Sequence, residues 1–132
     1  MEEQNVSIED SLYRRIYRTP WHKFVYPDNT PTSRNFVLRP KDNGKLSVDV
    51  ARLTTKELAV KDINKFALVE IFVKDVRNIG LSAIYDPLED NLAHAAICGL
   101  EEDDDIKPAI LAKKAKIVFS WLNTKSGVDG LV

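Results

Sequence analysis

The sequence predicts a single small α+β domain with a mixed or antiparallel sheet and with helices mainly on one face of that sheet. Apolar runs of strand length alternate with helix-like and turn-like segments in the order β, loop, β, β, α, β, α, β, β, α, which is typical of this class. The segment 66–100 is the richest in β-branched and aliphatic residues, and its apolar runs, 67–73, 81–85 and 92–98, predict the core. At 132 residues, the chain has the length of one domain.

The first strand is predicted over 12–17, where aromatic and β-branched residues cluster. Alternation places Arg14 on the same face of this strand as Leu12. A partly buried arginine needs a carboxylate or a bound anion to compensate its charge. We therefore expect Arg14 to pair with Asp49 or Asp86, or to reach a cleft.

A long irregular segment, 18–34, is predicted next because it carries three prolines, and its aromatic side chains predict that it packs onto the domain. A β-hairpin is then predicted over 35–40 and 45–50. Its connector contains an Asn-Gly pair at 43–44, and both residue types accept the positive φ angles of a two-residue hairpin turn. Alternation gives the second strand one apolar and one polar face.

Thr54 and Glu57 have the spacing of a capping box, which predicts a short helix near 55–61 with Leu58 as its clearest core contact. The next strand, 66–73, is apolar on both faces and is therefore predicted to be central in the sheet. The segments that follow are predicted as helical turns over 74–79, a strand over 81–85, a turn at Asp86-Pro87 and a strand over 92–98.

The acidic run 101–105 precedes a predicted helix, because negative charge stabilises the start of a helix and Pro108 suits its first turn. One buried stripe is predicted from the spacing of Leu111, Ala115, Val118 and Leu122. The segment 117–121 is alternatively the last strand of the sheet, since it contains β-branched and aromatic residues.

Residues 1–10 are predicted to form a flexible arm and 123–132 a flexible tail, which leaves 11–122 as the folded domain. The acidic, polar N-terminus lacks the pattern of a signal peptide, and the apolar runs are too short to span a bilayer. The single cysteine, Cys98, excludes an intramolecular disulfide and a zinc site built from several thiolates. We therefore expect a cytoplasmic protein that does not contact membranes.

The net charge of −1 conceals a separation of charge along the chain. Residues 13–46 contain eight Lys or Arg and two acidic residues, whereas residues 86–105 contain eight acidic residues and no Lys or Arg. The basic segment indicates either an anion-binding surface or a charge that the acidic segment neutralises within one fold. The candidates for binding an anion or a partner are Arg14, Arg15, Ser33 and Arg34. For Ser33 the alternative is that the Thr-Ser pair at 32–33 only caps a turn.

His94 is the candidate general acid or base, with Asp86 or Asp49 to orient its imidazole. The alternatives are a half-buried histidine bonded to backbone and an aspartate that forms a cross-strand ion pair. No Walker A, GxGxxG, HExxH or CxxC motif is present, so no cofactor is predicted. No metal is predicted either, because His22 and His94 lie far apart in the sequence and a zinc site needs further ligands.

Four stretches together resemble a family of small, largely uncharacterised bacterial proteins with the same order of motifs: LYRRI, PTSRNF, KLSVDVARLTT and YDPLEDNLAHAAICG. The resemblance covers residues 12–118. It implies no known activity and transfers no catalytic residue. It implies that six polar residues lie in the stretches that define the family: Arg14, Ser33, Ser47, Asp49, Asp86 and His94.

Three functions are compatible with these features. The first is a small bacterial accessory protein that acts through a larger protein partner, since opposed basic and acidic segments suit the steering of a partner. The second is a small enzyme that acts on a nucleotide or a phosphorylated substrate through an Arg/Ser/His site. The third is a nucleic-acid binder that uses residues 13–46, which the acidic run 86–105 disfavours.

Overall fold

The computed structural model describes residues 6–120. Within them, the strands are β1 (Ser11–Tyr17), β2 (Lys45–Val50), β3 (Phe66–Phe72), β4 (Ser82–Tyr85), β5 (His94–Cys98) and β6 (Lys116–Phe119). The α-helices are α1 (Trp21–Phe24), α2 (Lys56–Val60), α3 (Val73–Asn78) and α4 (Lys107–Lys114). The strands form one antiparallel sheet in the order β4-β5-β2-β1-β3-β6. The predicted α+β class is therefore confirmed.

The main core lies on one face of the sheet, where α1, α3 and α4 pack. Leu12 and Ile71 of the sheet are fully buried in it, and Val76 of α3 and Leu111 of α4 belong to the same apolar cluster. On the opposite face, α2 packs in a smaller cluster around Leu68 of β3. The helices thus lie mainly on one face, as the sequence predicts.

Most of the predicted strands agree with the structure to within two residues at each end. The predicted segments 12–17, 66–73, 81–85 and 92–98 correspond to β1, β3, β4 and β5. The helical turns predicted over 74–79 correspond to α3. The strand β3 is flanked by β1 and β6 and is buried on both faces through most of its length, which explains its almost continuous apolar sequence.

The predicted hairpin over 35–40 and 45–50 is wrong in its first half. Residues Ser33–Phe36 form a 3₁₀ turn, and Phe36 is fully buried in the main core. The positive φ angles expected at 43–44 are present, but they end a second 3₁₀ turn instead of joining two paired strands. Burial of one large aromatic side chain thus outweighs the local turn signal.

The predicted helix near 55–61 exists as α2, but its orientation differs from the prediction. Its N-cap is Thr55, whose side-chain oxygen accepts a hydrogen bond from the Leu58 backbone N–H at 3.2 Å. The helix contacts the sheet through its last residues, Ala59 and Val60. Leu58, expected in the core, is 70% exposed. A helix of about one turn is too short for all of its apolar side chains to face the sheet.

The C-terminal part of the domain follows the second of the two predictions for it. Helix α4 ends at Lys114, and residues 116–119 form β6, which pairs with β3. Leu111 and Ala115 of the predicted helical stripe are buried, while Val118 lies in the strand and Leu122 lies outside the described residues. The apolar run that follows α4 thus pairs as β6 with the edge of β3 that β1 leaves open.

Residues 6–10, the described part of the predicted flexible arm, pack onto the domain. Val6 and Asp10 are buried, and the Asp10 carboxylate forms an ion pair of 2.7 Å with Arg52. The Val6 carbonyl accepts a hydrogen bond from Arg77 at 2.9 Å. The predicted tail, 123–132, lies outside the described residues. No helix within residues 6–120 combines the length and apolarity needed to cross a membrane.

Candidate functional site

An opening in the sheet separates β1 from β2. The two strands pair at only two positions, the second of which joins Tyr13 to Asp49. Beyond this point β1 stays with β3 and β2 stays with β5. The side chain of Arg14 bridges the opening, since its Nη1 donates a hydrogen bond to the backbone oxygen of Ser47 at 2.7 Å.

Arg14 is held by backbone carbonyls and not by a carboxylate. Its Nε donates to the Asn35 carbonyl at 2.7 Å, in addition to the bond that Nη1 makes. Among the described residues, neither Asp49 nor Asp86, the partners expected from the sequence, contacts it. Burial lowers the pKa of Arg14 to about 10, Asp42 opposes this shift, and Arg39 adds to it. The guanidinium therefore remains charged at neutral pH without a carboxylate in contact.

A cavity of about 550 Å³ lies beside this opening, and we call it the arginine cleft. Its four basic lining residues are Arg14, Arg15, Arg34 and Arg39. The rest of its described lining is uncharged and includes the rings of Tyr17 and Phe24, whose centroids are 5.5 Å apart. The arginine cleft therefore concentrates positive charge next to an aromatic wall.

A smaller cavity of about 220 Å³ shares part of its lining with the arginine cleft. Arg14, Arg15 and Arg39 line both spaces, and the smaller one also touches Ser47 and Asp42. The Arg39 Nε lies 3.5 Å from the Asp42 carboxylate, so this arginine of the cleft has an acidic neighbour. Ser47 of β2 thus lines the smaller cavity, next to the arginine cleft.

His94 forms two hydrogen bonds through its ring. Its Nδ1 lies 2.7 Å from the backbone oxygen of Asp86 and its Nε2 lies 3.2 Å from Oγ of Ser47. Because a carbonyl can only accept, Nδ1 carries the proton in the neutral ring, and Nε2 accepts from the serine hydroxyl. The Asp86 carboxylate lies 3.6 Å from Nδ1. Ser47, His94 and Asp86 therefore form a connected group, which we call the serine–histidine group.

Asp49 has a different set of contacts. It is 3% exposed, accepts a hydrogen bond of 2.8 Å from Asn91, and lies 3.6 Å from Nη1 of Arg15. Arg15 in turn donates to the Ala59 carbonyl at 2.9 Å. Asp49 thus has the cross-strand ion pair that the alternative interpretation predicted, and it holds Arg15 at the cleft.

Of the seven site residues selected from the sequence, three line the arginine cleft, whereas His94, Asp86 and Asp49 lie outside its lining. Arg14, Arg15 and Arg34 line the arginine cleft. Ser33, by contrast, begins a 3₁₀ turn and is absent from the lining. Sequence reasoning missed the contacts of Arg39 and of Ser47. Alternation along β2 does place Ser47 on the polar face, but its pairing with a histidine depends on the register between β2 and β5.

Neither a search for metal-binding clusters nor comparison with known proteins assigns a function to this site. Among residues 6–120, no group of three or more His, Cys, Asp or Glu side chains is placed to hold a metal ion. Comparison of the chain with protein-family models, curated proteins and solved structures finds no match in any of the three. The resemblance to a bacterial family therefore stays a prediction.

Proposed function

We propose that the protein binds a small phosphate ester, of the size of a mononucleotide, in the arginine cleft. The observation that carries this proposal is a lining of four guanidinium groups with no aspartate or glutamate among its described members. Arginine is the residue best suited to phosphate, because its planar fork of donors matches phosphate oxygens in a bidentate way. An anion in the cleft would meet several such forks at once.

The energetics of Arg14 support an anionic ligand. A guanidinium has five N–H donors, and among the described residues the two hydrogen bonds of Arg14 go to the carbonyls of Asn35 and Ser47. Its lowered pKa reflects the cost of burying the charge. A bound phosphate would reduce this cost and would also relieve the repulsion among the clustered arginines.

The size and the walls of the cleft favour an organic phosphate over the free ion. A volume of about 550 Å³ falls within the range of small-molecule sites, roughly 300–1,000 Å³. Tyr17 and Phe24 offer ring surfaces on which a base or another flat group can stack. Arg34, whose guanidinium lies 5.8 Å from the centre of the Phe24 ring, links the aromatic wall to the charged one.

Calorimetric titration with adenosine monophosphate and with adenosine tests this proposal. We expect the nucleotide to bind and the nucleoside to give no measurable heat, because the arginines recognise the phosphate. Arg34→Gln should weaken binding by about tenfold, equivalent to about 1.4 kcal/mol. The matched control is Arg77→Gln, which removes the same charge from a residue bonded to Val6, outside the cleft.

Two results would contradict the proposal. One is the absence of binding to adenosine monophosphate, pyrophosphate and inorganic phosphate alike. The other is an equal loss of affinity in Arg34→Gln and Arg77→Gln, which would indicate general charge attraction in place of a defined site.

The two other functions considered from the sequence remain predictions. Nucleic-acid binding through residues 13–46 is less favoured, because Arg14 and Arg15 face a cleft and bond to carbonyls in place of forming an open basic stripe. An accessory role with a larger protein partner is compatible with ligand binding, since a bound anion can set the affinity for a partner.

A further inference from the structure

We propose that Ser47 is a nucleophile that attacks the phosphorus of the ester held in the arginine cleft, with His94 as its general base. This inference rests on the proposed function, because the cleft supplies the substrate. It adds a reaction, phosphomonoester hydrolysis, and a residue that the sequence analysis did not select for chemistry.

The geometry of the serine–histidine group supports this role. The His94 Nε2 lies 3.2 Å from the Ser47 Oγ, and the proton on Nδ1 is fixed by the 2.7 Å bond to the Asp86 carbonyl. Nε2 is therefore free to take the serine proton, which is the arrangement of an activated hydroxyl. The Asp86 carboxylate, 3.6 Å from Nδ1, would stabilise the imidazolium that forms.

Ser47 does not line the arginine cleft itself, but it lies at the smaller cavity that shares three arginines with the cleft. It is exposed although it lies on β2, it touches the smaller cavity together with Arg14, Arg15 and Arg39, and its own carbonyl accepts from Arg14. A strand holds its position more firmly than a loop would. Arginines at the same cavity are suited to stabilise the charge of a transferring phosphoryl group.

The reaction balances with water as the only co-reactant. Ser47 Oγ forms a bond to phosphorus while the bond from phosphorus to the ester oxygen breaks, and the serine proton passes through Nε2 of His94 to the departing alcohol. Water then attacks the phosphoserine and gives a proton to Nε2, which returns it to the Ser47 oxygen as that oxygen leaves. The products are the alcohol and inorganic phosphate.

Ser82 provides a matched control on the same face of the sheet. Ser47 lies opposite Ala96 of β5, and Ser82 lies opposite Cys98 of the same strand. Because these two β5 positions are two residues apart, both serines are on one face of the sheet. Ser82 is half-buried, and no histidine contacts it among the described residues. A serine of the same sheet without the imidazole should therefore be unreactive.

The test uses p-nitrophenyl phosphate with the full chain, and it measures nitrophenolate release and the mass of the acid-quenched Ser47 peptide. We expect turnover and a phosphoserine at Ser47. Ser47→Ala should abolish both, and His94→Gln should slow turnover at least about a hundredfold, the usual contribution of a general base. Asp86→Asn keeps the backbone carbonyl, so it should lower kcat with little change in KM. Ser82→Ala should match the wild type.

A second measurement separates this inference from the proposed function. A neutral alkyl fluorophosphonate reacts with an activated serine without any need for an anion site, and it should label Ser47 in a His94-dependent way. Phosphate binding in the calorimeter without label at Ser47 would overturn the nucleophile and leave the binding site standing. Turnover that survives in Ser47→Ala, or labelling unaffected by His94→Gln, would overturn it as well.

Discussion

The strand β1 meets its two neighbours in different ways. Against β3 it pairs along all seven of its residues, from Ser11 to Tyr17. Against β2 it pairs at two positions, and beyond them the Arg14 side chain spans the gap to the carbonyl of Ser47. Along its edge toward β3, β1 is therefore part of a complete sheet. Along its edge toward β2, the same strand forms a wall of the arginine cleft.

This difference indicates how a small sheet can combine stability with a polar site. In a complete ladder, the backbone N–H and C=O groups that two strands direct at each other are paired, and the side chains are left to form the core. Where the ladder stops, a carbonyl needs another donor, and Arg14 supplies it. The fold can then carry a partly buried cation, because the complete ladder with β3 contributes stability.

The largest effect is expected in the complete ladder. Ile71 of β3 is fully buried, so Ile71→Ala should lower the free energy of unfolding by about 2–5 kcal/mol, through lost burial and the cavity that remains. Urea denaturation of the two proteins measures this difference. A loss below about 1 kcal/mol would show that the β1–β3 side does not hold the fold.

A much smaller effect on stability is expected at the opening. Arg14→Met removes two hydrogen bonds to carbonyls, but water in the cleft can replace them, and the cost of a partly buried charge is removed as well. We expect the free energy of unfolding to change by less than about 1 kcal/mol, while binding of adenosine monophosphate is lost. A loss of roughly 3–5 kcal/mol, the size expected for a broken buried ion pair, would instead make Arg14 structural.

The pH dependence of stability offers a finer comparison of the same two proteins. Burial lowers the pKa of Arg14 from the ordinary value of an arginine to about 10, so between these two values the unfolded chain binds more protons than the native one. The contribution of Arg14 to the free energy of unfolding therefore increases as the pH rises from about 10 toward the ordinary pKa of arginine. This contribution is lost as the pH falls through 10. The wild type should gain stability relative to Arg14→Met between pH 10 and 12, as measured by chemical denaturation, and parallel curves would contradict the burial of this charge.

The smallest effect is expected at α2, on the other face of the sheet. Leu58 is 70% exposed, and Leu58→Ala should change the free energy of unfolding by no more than about 0.5 kcal/mol. The same urea experiment provides the measurement. A loss comparable to that of Ile71→Ala would mean that α2 packs through Leu58, as the sequence pattern suggested.

Local pattern in the sequence predicts the strands well, because alternation and β-branched composition are local properties. It fails at Phe36, where burial in the core replaces the expected strand by a 3₁₀ turn. It also fails at Leu58, since a helix of about one turn has too few residues to define a face.

The candidate site was only partly predictable for a related reason. Arg14, Arg15, Arg34 and His94 could be chosen by residue type and charge. The contact of Ser47 with His94, however, is set by the register of β2 against β5, and the cleft exists because β1 leaves β2 after two pairs. Both depend on strand order between distant segments, which no local window of the sequence contains.

The most direct measurement is an NMR titration that follows the side-chain Nε–H signals of the arginines while adenosine monophosphate is added. If the opening between β1 and β2 is a phosphate site, the signals of the four cleft arginines should shift together and saturate: Arg14, Arg15, Arg34 and Arg39. The signals of Arg52 and Arg77, which contact Asp10 and Val6 outside the cleft, should stay in place. Unchanged cleft signals, or shifts of equal size at Arg52 and Arg77, would contradict a phosphate site at this opening.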